Sequence, residues 1–287
     1  MKKNAKSNHK LKKIAAITGA RNDEFFLSRW VEYYGAQLGK ENIYLVLDGL
    51  EQKPPKNAGN ANVEILPHFD LSRIGGDMLR ADRLSTLANR LLTECGYDIV
   101  ICGDSDEIIV ADPAIKKSLR EYLSEIDVSR PVSALGLDVG QHLTVEKKLD
   151  RSKPFLQQRG YALLSTRYTK SVIIAQPVTW GQGFHRVKGR NFRIDKNLYL
   201  FHFGGVDLEL LKDKAKQGRD PCWEKHLWRR GGGVIKLVSN LRPRDEKFIR
   251  IARTIQTFAR PPYAWNKPFM FGLKWVVRIP TRFKDVV

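Results

Sequence analysis

Cysteine is scarce in this chain: Cys95, Cys102 and Cys222 are the only three in 287 residues. They show no paired spacing, and Cys102 lies inside an apolar run. A disulfide framework and a zinc site are therefore both disfavoured, and a reducing cytoplasm is the expected compartment. Long apolar runs are missing as well. No segment reaches the roughly 18 consecutive apolar residues of a membrane span, and the lysine-rich start lacks the apolar stretch of a secretion signal. A soluble or peripheral protein is expected. Acids are in short supply: 31 Asp and Glu stand against 50 Lys and Arg, a formal net charge of +19. So basic a surface attracts polyanions, whether nucleic acid, phosphorylated substrates or anionic lipid. Both ends carry the excess, with six lysines and no acid in residues 1–13 and eleven Lys or Arg against three acids in residues 241–287. Internal repeats are absent.

What is present is enough apolar material for one folded core, 42% hydrophobic and 10% aromatic residues. From Ile14, short β-rich runs alternate with helical ones: "IAAIT", a helix over 24–38, "IYLVLD", "VEIL", a helix over 80–95, then "DIVIC". That order belongs to a parallel sheet with crossover helices, because each apolar strand needs cover on both faces. Ligands collect at the carboxyl ends of such strands, where Thr18, Asp48 and Asp104 fall. "ADPAIKKSLREYLSEI" reads as one helix, capped by Asp112 with Pro113 in its first turn. Residues 131–203 alternate again as mixed strands. A helix is expected over 206–217, and "RRGGGV" at 229–234 reads as a flexible break.

The stretch "YDIVICGDSDEIIV" places Asp104, Asp106 and Glu107 at the end of a buried strand, a costly cluster unless something positive sits among them. Two carboxylates flanking one residue suit Mg²⁺ or Mn²⁺, ions that share their coordination with phosphate oxygens, so a diphosphate ligand is implied. The plain alternative is a solvated turn capping the next element. Its place after a buried strand favours the ion. His202 in "LYLFHFGG" interrupts an apolar strand, as a core histidine or as a further metal ligand. His185 in "GQGFHRV" has the same two readings, with acceptor contact as its functional one. Asp48 reads as the turn former before Gly49, and Arg80 and Arg83 are either solvated or phosphate-binding forks.

"DIVICGDSDEIIV" resembles the strand and DxDE turn of GT-A-fold glycosyltransferases, especially the family-2-like group that also resembles the family 92 enzymes. "TGARNDEFFLSRWVEYYGAQLGKENIYLVLDG", "TKSVIIAQPVTWGQGFHRV" and "LYLFHFGGVDLELLKDKAKQG" are similar to further motifs of that group, in order, over about residues 14–220. The resemblance implies an α/β, GT-A-type (Rossmann-like) mixed sheet flanked by helices. It further implies donor contacts from Thr18, Arg21, Asn22, Asp23, Asp48, Arg80, Arg83 and Asp104; metal contacts from Asp104, Asp106 and His202; and acceptor contacts from Trp180 and His185. Asp138 and then Asp207 are the candidates for a base that takes the acceptor hydroxyl's proton in an inverting transfer.

Three regions are expected: a basic tail (1–13), a catalytic domain (14–235) and a basic, aromatic C-terminal extension (236–287). In the extension, Phe248, Ile251, Ala252, Ile255, Phe258 and Ala259 are read as one helical face, and aromatics interleaved with cations follow. That pattern suits an anionic membrane face or packing on the domain. The expected activity is metal-dependent transfer of a sugar from a nucleotide-sugar donor to a glycan or lipid-linked acceptor, in bacterial surface polysaccharide synthesis. A nucleic-acid-binding protein is the competing reading, and it leaves the acidic strand end unexplained. A nucleotidyltransferase would want a glycine-rich start, whereas "TGARNDE" has one glycine.

Overall fold

The computed structural model describes residues 10–216 and 221–287, so most of the lysine-rich start lies outside the described residues. Strand β1 (Ile14–Ala20) is buried along its whole length. Helix α1 (Glu24–Leu38) packs Phe26, Trp30 and Tyr34 inward and leads to β2 (Ile43–Asp48) and the edge strand β3 (Asn62–Leu66). Helix α2 (Arg73–Thr93) starts seven residues earlier than the sequence implies. Gly75 and Gly76 mask its first turn, but the Ser72 hydroxyl caps it by accepting from Gly75 N at 3.2 Å. Strand β4 (Ile99–Asp104) and β5 (Glu107–Ala111) flank the acidic turn. β1, β2, β3 and β4 are mutually parallel in the spatial order 3-2-1-4 of a doubly wound nucleotide-binding sheet. The strand order reverses between β1 and β4, and a ligand crevice is expected there.

The helix read from Asp112 to Ile126 is two pieces. A short 3₁₀ turn, Pro113–Ile115, ends at Lys116 in the left-handed region, and α3 (Leu119–Glu125) starts afresh with a Ser118–Glu121 capping box. Strand β6 (Val132–Gly140), the short helix α4 (Phe155–Gln158), β7 (Tyr161–Leu164), β8 (Ile173–Ile174) and β9 (Arg193–Gly205) follow. "YALLSTRYTKSVIIA" is thus two strands split by a turn. β8 pairs antiparallel with β4 and β6, β9 runs parallel to β6, and β5 pairs antiparallel with β9.

Helix α5 (Leu208–Ala215) ends just before residues 217–220, so Gln217 lies outside the described residues. Helix α6 (Pro221–Leu227) runs through a π-helical turn, Trp228–Gly232, into α7 (Gly233–Asn240). The glycine run is therefore helical, and packing explains its composition. A Cβ on Gly231 would lie 2.6 Å from the Gly204 carbonyl and 2.7 Å from Leu211.

Residues 236–287 are woven into the same core. Helix α8 (Lys247–Phe258) lies on β9, and β10 (Val276–Arg278) pairs with β7 to close the sheet edge. The inward face of α8 is Ile249, Ala252 and Gln256, while Ile251 and Phe258, expected beside Ala252 on one apolar face, are 42% and 79% exposed. Arg253 packs over Tyr199, and Arg282 holds both oxygens of Asp112 at 2.7 and 2.9 Å. Among the described residues, no helix is long and apolar enough to cross a membrane.

Candidate active site

A cleft of about 520 Å³ opens at the point where the strand order reverses. Its floor is the end of β1, Gly19 to Asp23, against the turn after β4, Asp104 to Asp106. The acidic cluster is built around internal cations. Lys170, 1% exposed, places Nζ 3.0 Å from Asp104 and 2.5 Å from Glu107. Arg80 reaches across from α2 to Asp104 and Asp77, each at 3.2 Å. Burial would raise the Asp104 carboxyl, but Arg80 and Lys170 bring it below its usual range. Burial does lift Glu107 above that range.

Asp106 has a different neighbourhood. Phe203 N donates to its carbonyl at 2.9 Å, fixing it beside β9, and His202 Nε2 stands 3.4 Å from its Oδ2. The other ring nitrogen, Nδ1, donates to Asp138 at 2.7 Å, a pairing set by the register of β6 on β9, where Asp138 and His202 are directly opposed. Tyr168 stacks on the imidazole, with centroids 3.7 Å apart. Burial would lower the His202 pKa, but Asp106 and Asp138 raise it to about 10, and His202 in turn pulls Asp106 well below its usual range.

This corner fits a divalent ion in part. Among the described residues, no three His, Cys, Asp or Glu side chains form a metal-holding group. Asp106 and His202 do suit one as a pair. A carboxylate on the far nitrogen is the usual support of a ligating histidine, and Mg²⁺ or Mn²⁺ commonly takes only one or two protein ligands beside phosphate oxygens. The space next to them is kept by Gly204, where a Cβ would lie 2.5 to 2.8 Å from the His202 ring and 3.5 Å from Asp106 Oδ2. Asp104 does not join the pair, since Arg80 and Lys170 take its two oxygens.

The other expected site residues divide by place. Arg21, Asn22 and Asp23 line the cleft. Arg21 donates to the Asp48 carbonyl at 2.6 Å and pairs with Glu51. Asn22 exchanges hydrogen bonds with Gln52, and Asp23 accepts from Ser105 at 2.6 Å and pairs with Lys214 at 2.8 Å. Asp48 and Arg83 stand 3.6 Å apart in a smaller adjoining pocket of about 220 Å³, where His68 meets Asp48 at 2.7 Å and Phe69, Leu71 and Trp223 supply apolar walls. The cleft and this pocket share Arg21, Arg73, Asp77 and Arg80. His185 lines the cleft as a neutral ring, its pKa lowered to about 3 by burial and by Lys170 and Lys267.

Four expected residues sit elsewhere. Thr18 is wholly buried inside β1, because a strand residue facing the core cannot also face the cleft. Trp180 is 2% exposed, its indole N–H donating to the Ser171 carbonyl at 2.9 Å. Asp138 is spent on His202. Asp207 caps α5 by accepting from Glu209 N and Leu210 N, each at 3.0 Å, and pairs with buried Arg159 at 3.0 Å. Neither aspartate lines the cleft. Sequence reasoning missed Lys170, Lys214, Arg167, Tyr168 and Arg230, which do. Only Lys170 left a trace, a lone cation ahead of the apolar run "SVIIA".

No family model matches the chain, and no curated protein matches it. Among solved structures, a mannose-1-phosphate geranyltransferase from Thermus thermophilus is similar over 80% of this chain and 68% of its own, at 10% identity and a TM-score of 0.28. The apo structure of the bifunctional glycosyltransferase WbbM is similar over 44% of this chain and 23% of its own, at 16% identity and a TM-score of 0.26. Likenesses this weak carry no functional argument.

Proposed function

We propose that this chain is a GT-A-type glycosyltransferase. It would move a sugar from a nucleoside-diphosphate donor to a glycan or lipid-linked acceptor, in bacterial surface polysaccharide assembly at an anionic membrane face. The observation that carries the reading is the Asp106–His202–Asp138 chain at the carboxyl end of β4, in a cleft that continues into a small apolar pocket holding Asp48 and Arg83. A divalent ion there would be held by Asp106 and His202 and would offset charge on the departing diphosphate. Asp138 orients the imidazole, and Arg80 with Lys170 holds Asp104 ionised in the floor of the cleft. In the adjoining pocket, Asp48 and Arg83 offer an acceptor and a fork of donors to the base or ribose. Because Asp138 and Asp207 are both engaged, the inverting course has no assigned base. A groove for a nucleic-acid backbone would not have carboxylates as its floor.

Thermal shift with UDP, GDP, ADP and CDP, with and without Mn²⁺, tests this. One nucleotide should stabilise the protein only together with the ion, by about 2.7 kcal/mol at a hundredfold excess over Kd. Asp106→Ala should abolish that joint effect. Stabilisation indifferent to the ion, or tight salt-sensitive RNA binding without it, would overturn the assignment.

A further inference from the structure

The lining of the cleft includes cations that, among the described residues, no acid answers. Arg167, in the turn between β7 and β8, and Arg230, in the π-helical turn after α6, both line the cleft, and among the described residues neither guanidinium has a carboxylate partner or a hydrogen bond. This contrasts with the floor, where Arg80 and Lys170 are each paired with carboxylates. Burial and the nearby Arg167, together with Arg229 and Arg73, hold the Arg230 guanidinium below its usual pKa. Burial, Arg186 and Arg167 do the same to Lys267. Like charges held this close are unfavourable until an anion arrives among them. Tyr168 ties the cluster to the proposed chemistry: it follows Arg167 in the chain, and its ring is stacked on His202.

The surroundings of the cluster specify the anion further. Lys267 belongs to the loop that exposes Tyr263 and Trp265, 77% and 56% accessible, beyond the end of α8, where Phe258 is 79% accessible. Lys267 Nζ lies 5.9 Å from the centre of the Tyr263 ring, and a cation beside exposed aromatics suits a phosphate that continues into an apolar chain.

We propose that Arg167 and Arg230 form an acceptor-side anion site that binds the phosphate of a lipid-linked acceptor, separate from the place of the donor diphosphate. This rests on the glycosyltransferase reading for the word acceptor, but the anion site itself does not. Both arginines suit the task, because a guanidinium fork meets phosphate oxygens two at a time.

The test uses the full chain with octyl phosphate below its micelle-forming concentration, against inorganic phosphate and octanol, each titrated with and without Mn²⁺ and the stabilising nucleoside diphosphate. Octyl phosphate should bind alongside the nucleotide and more tightly than inorganic phosphate, with octanol weakest. Arg167→Gln combined with Arg230→Gln should weaken octyl phosphate by at least about tenfold while leaving nucleotide affinity within about twofold. The doubly lysine-substituted protein should keep most of the binding, and matching melting temperatures would show that the fold is intact. Competition between octyl phosphate and the nucleotide would overturn the proposal by assigning the arginines to the donor. So would equal losses for both ligands, unchanged octyl phosphate binding in the glutamine variant, or no preference over inorganic phosphate. If no nucleotide binds the unaltered protein, the donor reading fails while the octyl phosphate comparison still decides the anion site.

Discussion

Lys170 is the side chain whose removal should hurt the fold most for its size. Lys170→Met would leave Asp104 and Glu107 buried without their shared cation, a loss of about 3–5 kcal/mol in urea unfolding. Glu107 has a folded pKa raised above its unfolded value, so its ionisation opposes folding as pH rises and protonation relieves it. The deficit of Lys170→Met should therefore shrink between pH 7 and pH 5, and an unchanged deficit would show that the charges are not its source. His202 works in the opposite sense. Its folded pKa of about 10 exceeds the unfolded value, so the stabilisation from its charged ring is complete below about pH 6.5 and fades as pH rises toward 10. In metal-free buffer, the melting-temperature gap between the natural protein and His202→Gln should be widest near pH 6 and narrow toward pH 10. The place of Asp106 in the cleft was legible because acid, spacer and acid after an apolar strand is a local pattern. The role of Asp138 was not, since its partner lies 64 residues away and meets it only through the pairing of β6 with β9.

At the scale of elements, two glycines should answer the same substitution with opposite signs. A Cβ on Gly136 would meet only backbone, 2.4 Å from Tyr168 C, 2.5 Å from Ser165 O and 2.6 Å from Thr169 N, so β6 and the turn carrying Arg167 would have to separate. Gly136→Ala should cost about 1–3 kcal/mol or more. Gly76, inside α2, has open space around the same position, and Gly76→Ala should add roughly 0.5–1 kcal/mol. Denaturant midpoints of the two variants settle both, and a shift in the same direction would refute the packing account. The β1-to-β4 layout was readable because continuous apolar strands and an amphipathic helix are short-range signals. The start of α2, the break at Lys116 and the helical course of "RRGGGV" were not. Each depends on a cap, a left-handed residue or a close approach that composition hides.

Across the whole molecule, the net charge of +19 should make association with phosphatidylglycerol vesicles strongly salt-sensitive, at about 1 kcal/mol per cation near the surface. Flotation of Phe258→Ser combined with Trp265→Ser should fall at least about tenfold relative to the unaltered protein, and equal flotation would end the lipid reading. Truncation after residue 240 should unfold the protein, because it would strip β10, Val277 and Phe283 from the core. Periodicity and charge along the chain sufficed for the class of fold, the strand that ends in acids and the basic character of the surface, because each is a property of neighbouring residues. Three-dimensional packing settled the rest: that Lys170 and Arg80 neutralise Asp104, that His202 bridges Asp106 and Asp138, that the final 52 residues complete the sheet rather than trail from it, and that Arg167 and Arg230 line the same cleft. These contacts join residues far apart in the chain, and burial of charge is tolerated only where such distant partners meet.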